Sequence, residues 1–230
     1  MQYIQKQHKE PVGWNEWFTV PPNRRTFDYG ADYSALTNLK LAKAFLIKEQ
    51  NDLCAYCQQK IAPENASIEH VAPKEHNREL STSYFNLVAV CKKQQIPDPK
   101  DNKLHCDSTR GSKLLPLIIF YANAQSTSDS LNKYFDSYSD GSIIAKRNLD
   151  QPTKNQVESF IEILNLNHST LKNKRAKDTL NGIISASHSF HNPAAKNRFW
   201  RAQYHRILNH VSHPFREYLL VYIGSKIGLH

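Results

Sequence analysis

Cys54-Ala55-Tyr56-Cys57, then Ile68-Glu69-His70, then Phe85-Asn86-Leu87, then Cys91, and last His105-Cys106-Asp107 decide how this chain is read, because all four of its cysteines fall among them. Two thiolates separated by two residues in a tight turn have the spacing that one tetrahedral zinc accepts from a single loop. Cys91 and Cys106 complete a four-thiolate set if the polar, turn-rich run 94–103 loops out between them. The other reading of Cys-x-x-Cys, a redox pair, calls for a strand–helix junction in a βαβ unit, and the flanking sequence shows none. Structural zinc on Cys54, Cys57, Cys91 and Cys106 is the preferred reading, with His105 as a reserve ligand.

The residues between the cysteines carry a second chemistry. If 67–70 is a strand, Glu69 and His70 point to opposite sides, so one can reach a metal while the other meets a water. His70 is the candidate general base, since a neutral imidazole accepts a proton near pH 7. Asn86 suits holding the turn between two strands and orienting His70 through its amide. Asp107 opens a following helix and offers a second carboxylate, and Arg110 and Lys113 farther along are candidate phosphate contacts. His76 is a candidate substrate contact or a solvated loop residue. A Glu-His pair alone is common on any surface; order and spacing together carry the nuclease reading.

Taken in sequence, Cys-x-x-Cys, Glu-His, Asn-Leu, Cys and Cys-Asp-x-x-Arg-Gly resemble the HNH endonuclease family over roughly a quarter of the chain. The resemblance implies a ββα-metal core braced by four-cysteine zinc, with His70 as general base, Glu69 and Asp107 on the catalytic ion, and Asn86 structural. Asp107 stands where many members carry His or Asn, and Gly111 where some carry another ligand. Two protein ligands completed by water and phosphate suit Mg²⁺ or Mn²⁺ better than a second zinc. The run 46–57 and Ile163-Leu164-Asn165-Leu166-Asn167 look, more loosely, like the PtuB-like nucleases of Septu anti-phage systems, some of them encoded with retrons. That resemblance implies an ABC-type ATPase (PtuA-like) partner and an effector role in phage defence.

Composition sets the frame. The chain has 230 residues and a net charge of +9, with a pI near 9.3, a balance that favours polyanionic partners without choosing DNA or RNA. Only 7 glycines against 11 prolines argue against a Gly-rich nucleotide fold. No apolar run approaches the ~20 residues of a membrane span. The N-terminus lacks an apolar signal core, so a cytoplasmic protein without membrane contact is expected.

The expected fold class is α+β, mainly α, with the nuclease core and its zinc knuckle embedded in a helical body. Residues 1–31 read as an N-terminal arm whose aromatics dock on the protein itself. Residues 32–125 read as the nuclease core with a leading helix, and 126–230 as a hairpin and C-terminal helical region, all in one body. A helix is expected over 33–50, capped by Asp32 or Ser34. Strands are expected over 67–70 and 87–90, and an insertion loop over 96–103. Asp140-Gly141 marks a hairpin between 134–139 and 142–146. Helices are expected over 153–166, 169–187, 194–210 and 214–224. The basic run Lys172–Lys177 reads as a solvated helix face and Phe199-Trp200 as core. His205, His210 and His213 take basic or core roles, their spacing not being that of a metal pair on a helix. The function expected is a metal-dependent HNH endonuclease; its rival is a zinc-braced module that binds nucleic acid or a partner without cutting.

Overall fold

Strands β1 (Ala66–His70) and β2 (Leu87–Cys91) form an antiparallel pair in which His70 faces Leu87, Glu69 faces Val88 and Ala66 faces Cys91. This ladder lies in a computed structural model that describes residues 4, 6–7, 9–23, 25–29, 31–92, 105–116 and 133–229. The structure is mixed α/β and mostly helical. Leu-Val-Ala-Val-Cys of β2 is buried throughout, as its unbroken apolar run requires. Gln50, fully buried, stands in for a further strand: its Nε2 donates to Ala89 O and its Oε1 accepts from Ala89 N, both at 2.7 Å. At ~3.4 Å per residue the ladder keeps His70 and Cys91 about 13 Å apart, room for two separate sites.

Helix α1 (Leu39–Glu49) packs Ala42, Leu46 and Ile47 against the ladder and leads into Cys54. It starts later than expected. Tyr33–Ala35 is a separate 3-10 turn, and neither Asp32 nor Ser34 caps α1, which follows Asn38. The cause is the N-terminal arm: Thr37 donates both its N–H and its hydroxyl to Thr19 O, which draws the intervening backbone out of helical register. The arm is held further by Trp14, whose ring meets Tyr84 and Phe45 edge-on and whose Nε1 donates to Thr82 O at 2.8 Å. Lys6 is buried beside it, ion-paired with Glu49 at 2.9 Å.

A one-turn helix, α2 (Asp107–Arg110), follows Cys106. Strands β3 (Phe135–Ser137) and β4 (Ile143–Ala145) form the expected hairpin. Gly141 sits there at φ +87, with Lys172 O only 2.0 Å from where a Cβ would be, so no other residue fits without backbone movement. Helix α3 (Gln151–Ile163) is capped by Asp150, which accepts from Thr153 N, with Pro152 in the first turn. The helix expected over 169–187 is interrupted. Between α4 (Ser169–Asn173) and α5 (Asn181–Ser187), Lys174–Leu180 winds as a π-helix, and Arg175 turns inward to donate to Gly141 O and Leu166 O. Helix α6 (Pro193–Leu208) starts at an Asn192 cap, and α7 (Arg216–Lys226) packs along it.

Buried side chains from Ile4 to Ile223 join one apolar cluster that takes in the arm, the ladder, the cysteines and the C-terminal helices. Trp200 belongs to it, with Phe199 packed at its edge. The insertion expected over 96–103, residues 117–125 of the expected nuclease segment and 126–132 of the next lie outside the described residues. Among the described residues, no helix is long and apolar enough to cross a membrane.

Candidate metal and catalytic centres

Leu53 and Lys60 bridge the base of a tight turn that presents Cys54 and Cys57, with Gln58 at φ +65 turning the chain out of it. Cys91 closes β2, and Cys106 enters α2 at φ +61. A non-glycine residue in that region is held by its surroundings, and here the Cys106 amide donates to Leu164 O at 2.8 Å. All four sulfurs are buried and lie within 4.8 Å of one another. Cys54 Sγ is 3.8 Å from Cys91 Sγ and 4.0 Å from Cys106 Sγ, and Cys57 Sγ is 3.9 Å from Cys91 Sγ. Zinc–sulfur bonds of ~2.3 Å in a tetrahedron put sulfurs about 3.8 Å apart, so the set fits a metal such as zinc. These separations also exclude disulfides.

The charge balance agrees. Burial opposes ionisation of Cys54, yet hydrogen bonds from Cys106, Cys57 and Cys91 outweigh it and hold Cys54 well below the usual thiol range. Burial pushes Cys106 up. A buried cluster that favours thiolate at one sulfur and must protonate its neighbours is one a dication relieves. His105 stands beside the set rather than in it, its Nδ1 3.2 Å from Cys106 Sγ and 3.8 Å from Cys91 Sγ. Burial pushes its imidazole down to about 4. As a neutral ring it can donate one N–H to a thiolate.

On β1 the alternation holds. Glu69 is buried, its Oε1 accepting from Tyr56 OH at 3.0 Å and paired with Arg110. Asp107, from the start of α2, stands against the same carboxyl group. Burial first, and then the Asp107 charge, push Glu69 up to about 8, against the pull of Arg110. Two carboxylates from separate elements thus meet where a further cation would replace a proton. Tyr56 comes from inside the Cys-x-x-Cys turn and ties the thiolate cluster to this pair.

Arg110 departs from its expected role as a phosphate contact. It is 1% exposed, and its guanidinium donates to Lys113 O, Tyr56 OH, Glu69, His70 O and Val71 O. Buried and held by these five acceptors, the guanidinium is not presented to a phosphate. Arg110 instead welds α2 to the end of β1. Replacing Arg110 by Met is expected to cost about 3–5 kcal/mol in urea unfolding, because it removes the partner of a buried Glu69 carboxyl group and of three carbonyls. Lys113 and His76 are exposed, on the segment after α2 and on the loop after β1 respectively.

His70 lies on the other side of the strand. Its Nε2 is 2.9 Å from Ser81 O, and Tyr33 meets its ring edge-on at 4.7 Å. A carbonyl only accepts, so Nε2 carries the hydrogen and the Nδ1 lone pair is left for a proton. Asn86 acts on the loop rather than on His70 itself. Its Oδ1 accepts from Ala72 N at 2.7 Å, and its Nδ2 donates to Ala72 O and Leu80 O. It therefore fixes the strand-to-strand turn, as expected, and orients His70 only through the position of Ser81. Tyr56, Tyr33 and Ser81 were not singled out from sequence; only the place of Tyr56 between two cysteines marks one of them.

No family model matches this chain. A protein of Vibrio cholerae serotype O1 biovar El Tor, named "Retron Vc95 putative HNH endonuclease", is 27% identical over 153 residues, spanning 64% of this chain and 69% of that protein. The chain is thus similar to a protein that is named for an HNH endonuclease in a retron context.

Proposed function

We propose that this chain is a metal-dependent HNH endonuclease that hydrolyses nucleic-acid phosphodiester bonds, with β1, β2 and α2 as its ββα-metal unit. The observation that carries the reading is the meeting of Glu69 and Asp107 on one side of β1 while Ser81 O fixes the tautomer of His70 on the other. His70 Nδ1 takes the proton of the attacking water. Glu69 and Asp107 would hold the divalent ion, Mg²⁺ or Mn²⁺, which when bound supplies positive charge to the phosphorane and the leaving 3′ oxygen. Tyr56 and Arg110 both engage Oε1 of Glu69, so Oε2 is the oxygen that would turn to that ion. Asn86 and Arg110 keep the loop and α2 in place around the reacting groups.

The substrate's phosphates have a footing elsewhere on the chain. Between Asp178 and Glu217 there is no acidic residue, while Lys196, Arg198, Arg201, Arg206 and Arg216 fall in that interval. Arg198, Arg201 and Arg206 are exposed along α6. Such a face attracts a polyanion through counterion release. The retron relative supports a further proposal, that the chain is the cutting subunit of a phage-defence complex with an ABC-type ATPase.

The test is cleavage of plasmid and of total tRNA in Mn²⁺, by the chain alone and with its ATPase, against a metal-free control. Metal-dependent cuts leaving 5′-phosphate ends support the reading; binding without cutting in both arms would instead establish a zinc-braced binding module. The pH profile gives a second check. Burial lowers the His70 pKa from 6.5, with Lys74 adding to the shift and the Ser81 carbonyl opposing it. The base is therefore already neutral at pH 7, and kcat/KM is expected to fall only below pH 6.5. At saturating Mn²⁺, which keeps Glu69 deprotonated, an acid limb centred above 7 would assign the base elsewhere.

A further inference from the structure

The loop that carries the catalytic histidine has a second face. Val71 and Ala72, which directly follow His70, line a groove with Leu80, Phe85, Leu114 and Leu115, and Asn86 borders it. The open space is about 280 Å³, near the ~300 Å³ lower end of small-ligand clefts. Phe85 is 42% exposed and Leu114 63% exposed, and among the described residues no charged side chain lines the walls. Two large apolar side chains left in water side by side mark a surface that something covers.

The place of the groove restricts what that is. Its wall continues from the residue after His70, which sets the groove beside the proposed cutting centre. Lys113, which precedes Leu114 in the chain, is exposed and suited to a phosphate. An apolar slot with an aromatic ring, and a cation next in the chain to one of its residues, matches a planar base on a charged backbone. A base inside a duplex is paired and stacked and enters a side groove only by flipping out, at a cost in pairing and stacking, whereas an unpaired strand offers its bases freely. Asn86 has committed its amide to Ala72 and Leu80, so it is not free to read a base edge. We infer that this groove takes an unstacked nucleobase of the strand being cut, against Phe85, and that the substrate is unpaired DNA or RNA bound without a hydrogen-bond code in this groove. The inference rests on the nuclease reading.

The experiment measures binding by the full chain in a His70→Ala background, which prevents turnover. The probes are a short single strand carrying a fluorescent purine, as DNA and as RNA, and the matching blunt duplexes. Phe85→Ala is expected to weaken single-strand binding about ten- to hundredfold. Phe85→Trp is expected to retain binding and quench the purine, and duplex binding is expected to stay unchanged. The DNA and RNA arms identify which strand is preferred. Unchanged single-strand affinity in a Phe85→Ala protein with wild-type melting would overturn the proposal, as would an equal loss on duplex. A shift in oligomeric state with strand binding intact would also overturn it and assign the groove to a protein. The nuclease reading fails separately, if the chain with intact His70 leaves every substrate uncut in Mn²⁺ with its ATPase present.

Discussion

Replacing Cys54 by Ser is expected to strip the zinc and unfold most of the protein at physiological temperature. Cys54 is the hub of the cluster, in reach of both Cys91 and Cys106 and accepting the Cys91 amide at 3.4 Å. The four ligands come from three parts of the chain: the turn after α1, the end of β2 and the start of α2. A metal on this set would therefore tie α2, which carries Asp107, to β2, the partner strand of the β1 that carries Glu69. Binding to four thiolates contributes on the order of 10 kcal/mol to folding, comparable with the ~5–15 kcal/mol total stability of a domain. Zinc content by atomic emission and thermal melting by circular dichroism check this together. A strong chelator should have the same effect on the unsubstituted chain. A Cys54→Ser protein that melts normally would mean the thiols are only a buried apolar cluster.

The second large effect is on rate alone. His70→Ala is expected to reduce cleavage by about 10²- to 10⁴-fold, the ordinary worth of a positioned general base. The ring is only partly buried and its polar contact is one hydrogen bond to Ser81 O, so stability should fall by no more than about 1–2 kcal/mol. Zinc content should not change. Single-turnover cleavage, alongside melting, separates a chemical loss from a folding loss. A variant that cuts at the unsubstituted rate would remove His70 from the mechanism.

What the sequence disclosed, and what it hid, divides by the range of the interactions. The cysteine spacing, the alternation of Glu69 and His70 and the Asp140-Gly141 turn are local signals, and the structure carries each of them. Arg110 was misread because an arginine one turn beyond Asp107 looks like a helix surface. Its burial depends on carbonyls at His70 and Val71, some forty residues earlier. The late start of α1 depends on Thr19, and the π-turn around Arg175 on acceptors at Gly141 and Leu166; none of these contacts has a periodicity to read. Tyr56 escaped for a related reason. Inside Cys-x-x-Cys it looks like filler, and only the folded ladder brings Glu69 and Arg110 to its hydroxyl.

The claim that two metal sites with different work share this small region has one direct test. Crystals grown with Zn²⁺ and Mn²⁺ would be measured at both absorption edges, and the anomalous peaks located. The account predicts zinc among the sulfurs of Cys54, Cys57, Cys91 and Cys106, and a separate manganese between Glu69 and Asp107. A single peak at the cysteines, with Glu69 and Asp107 sharing a proton and no ion at manganese concentrations that support cleavage, would contradict it.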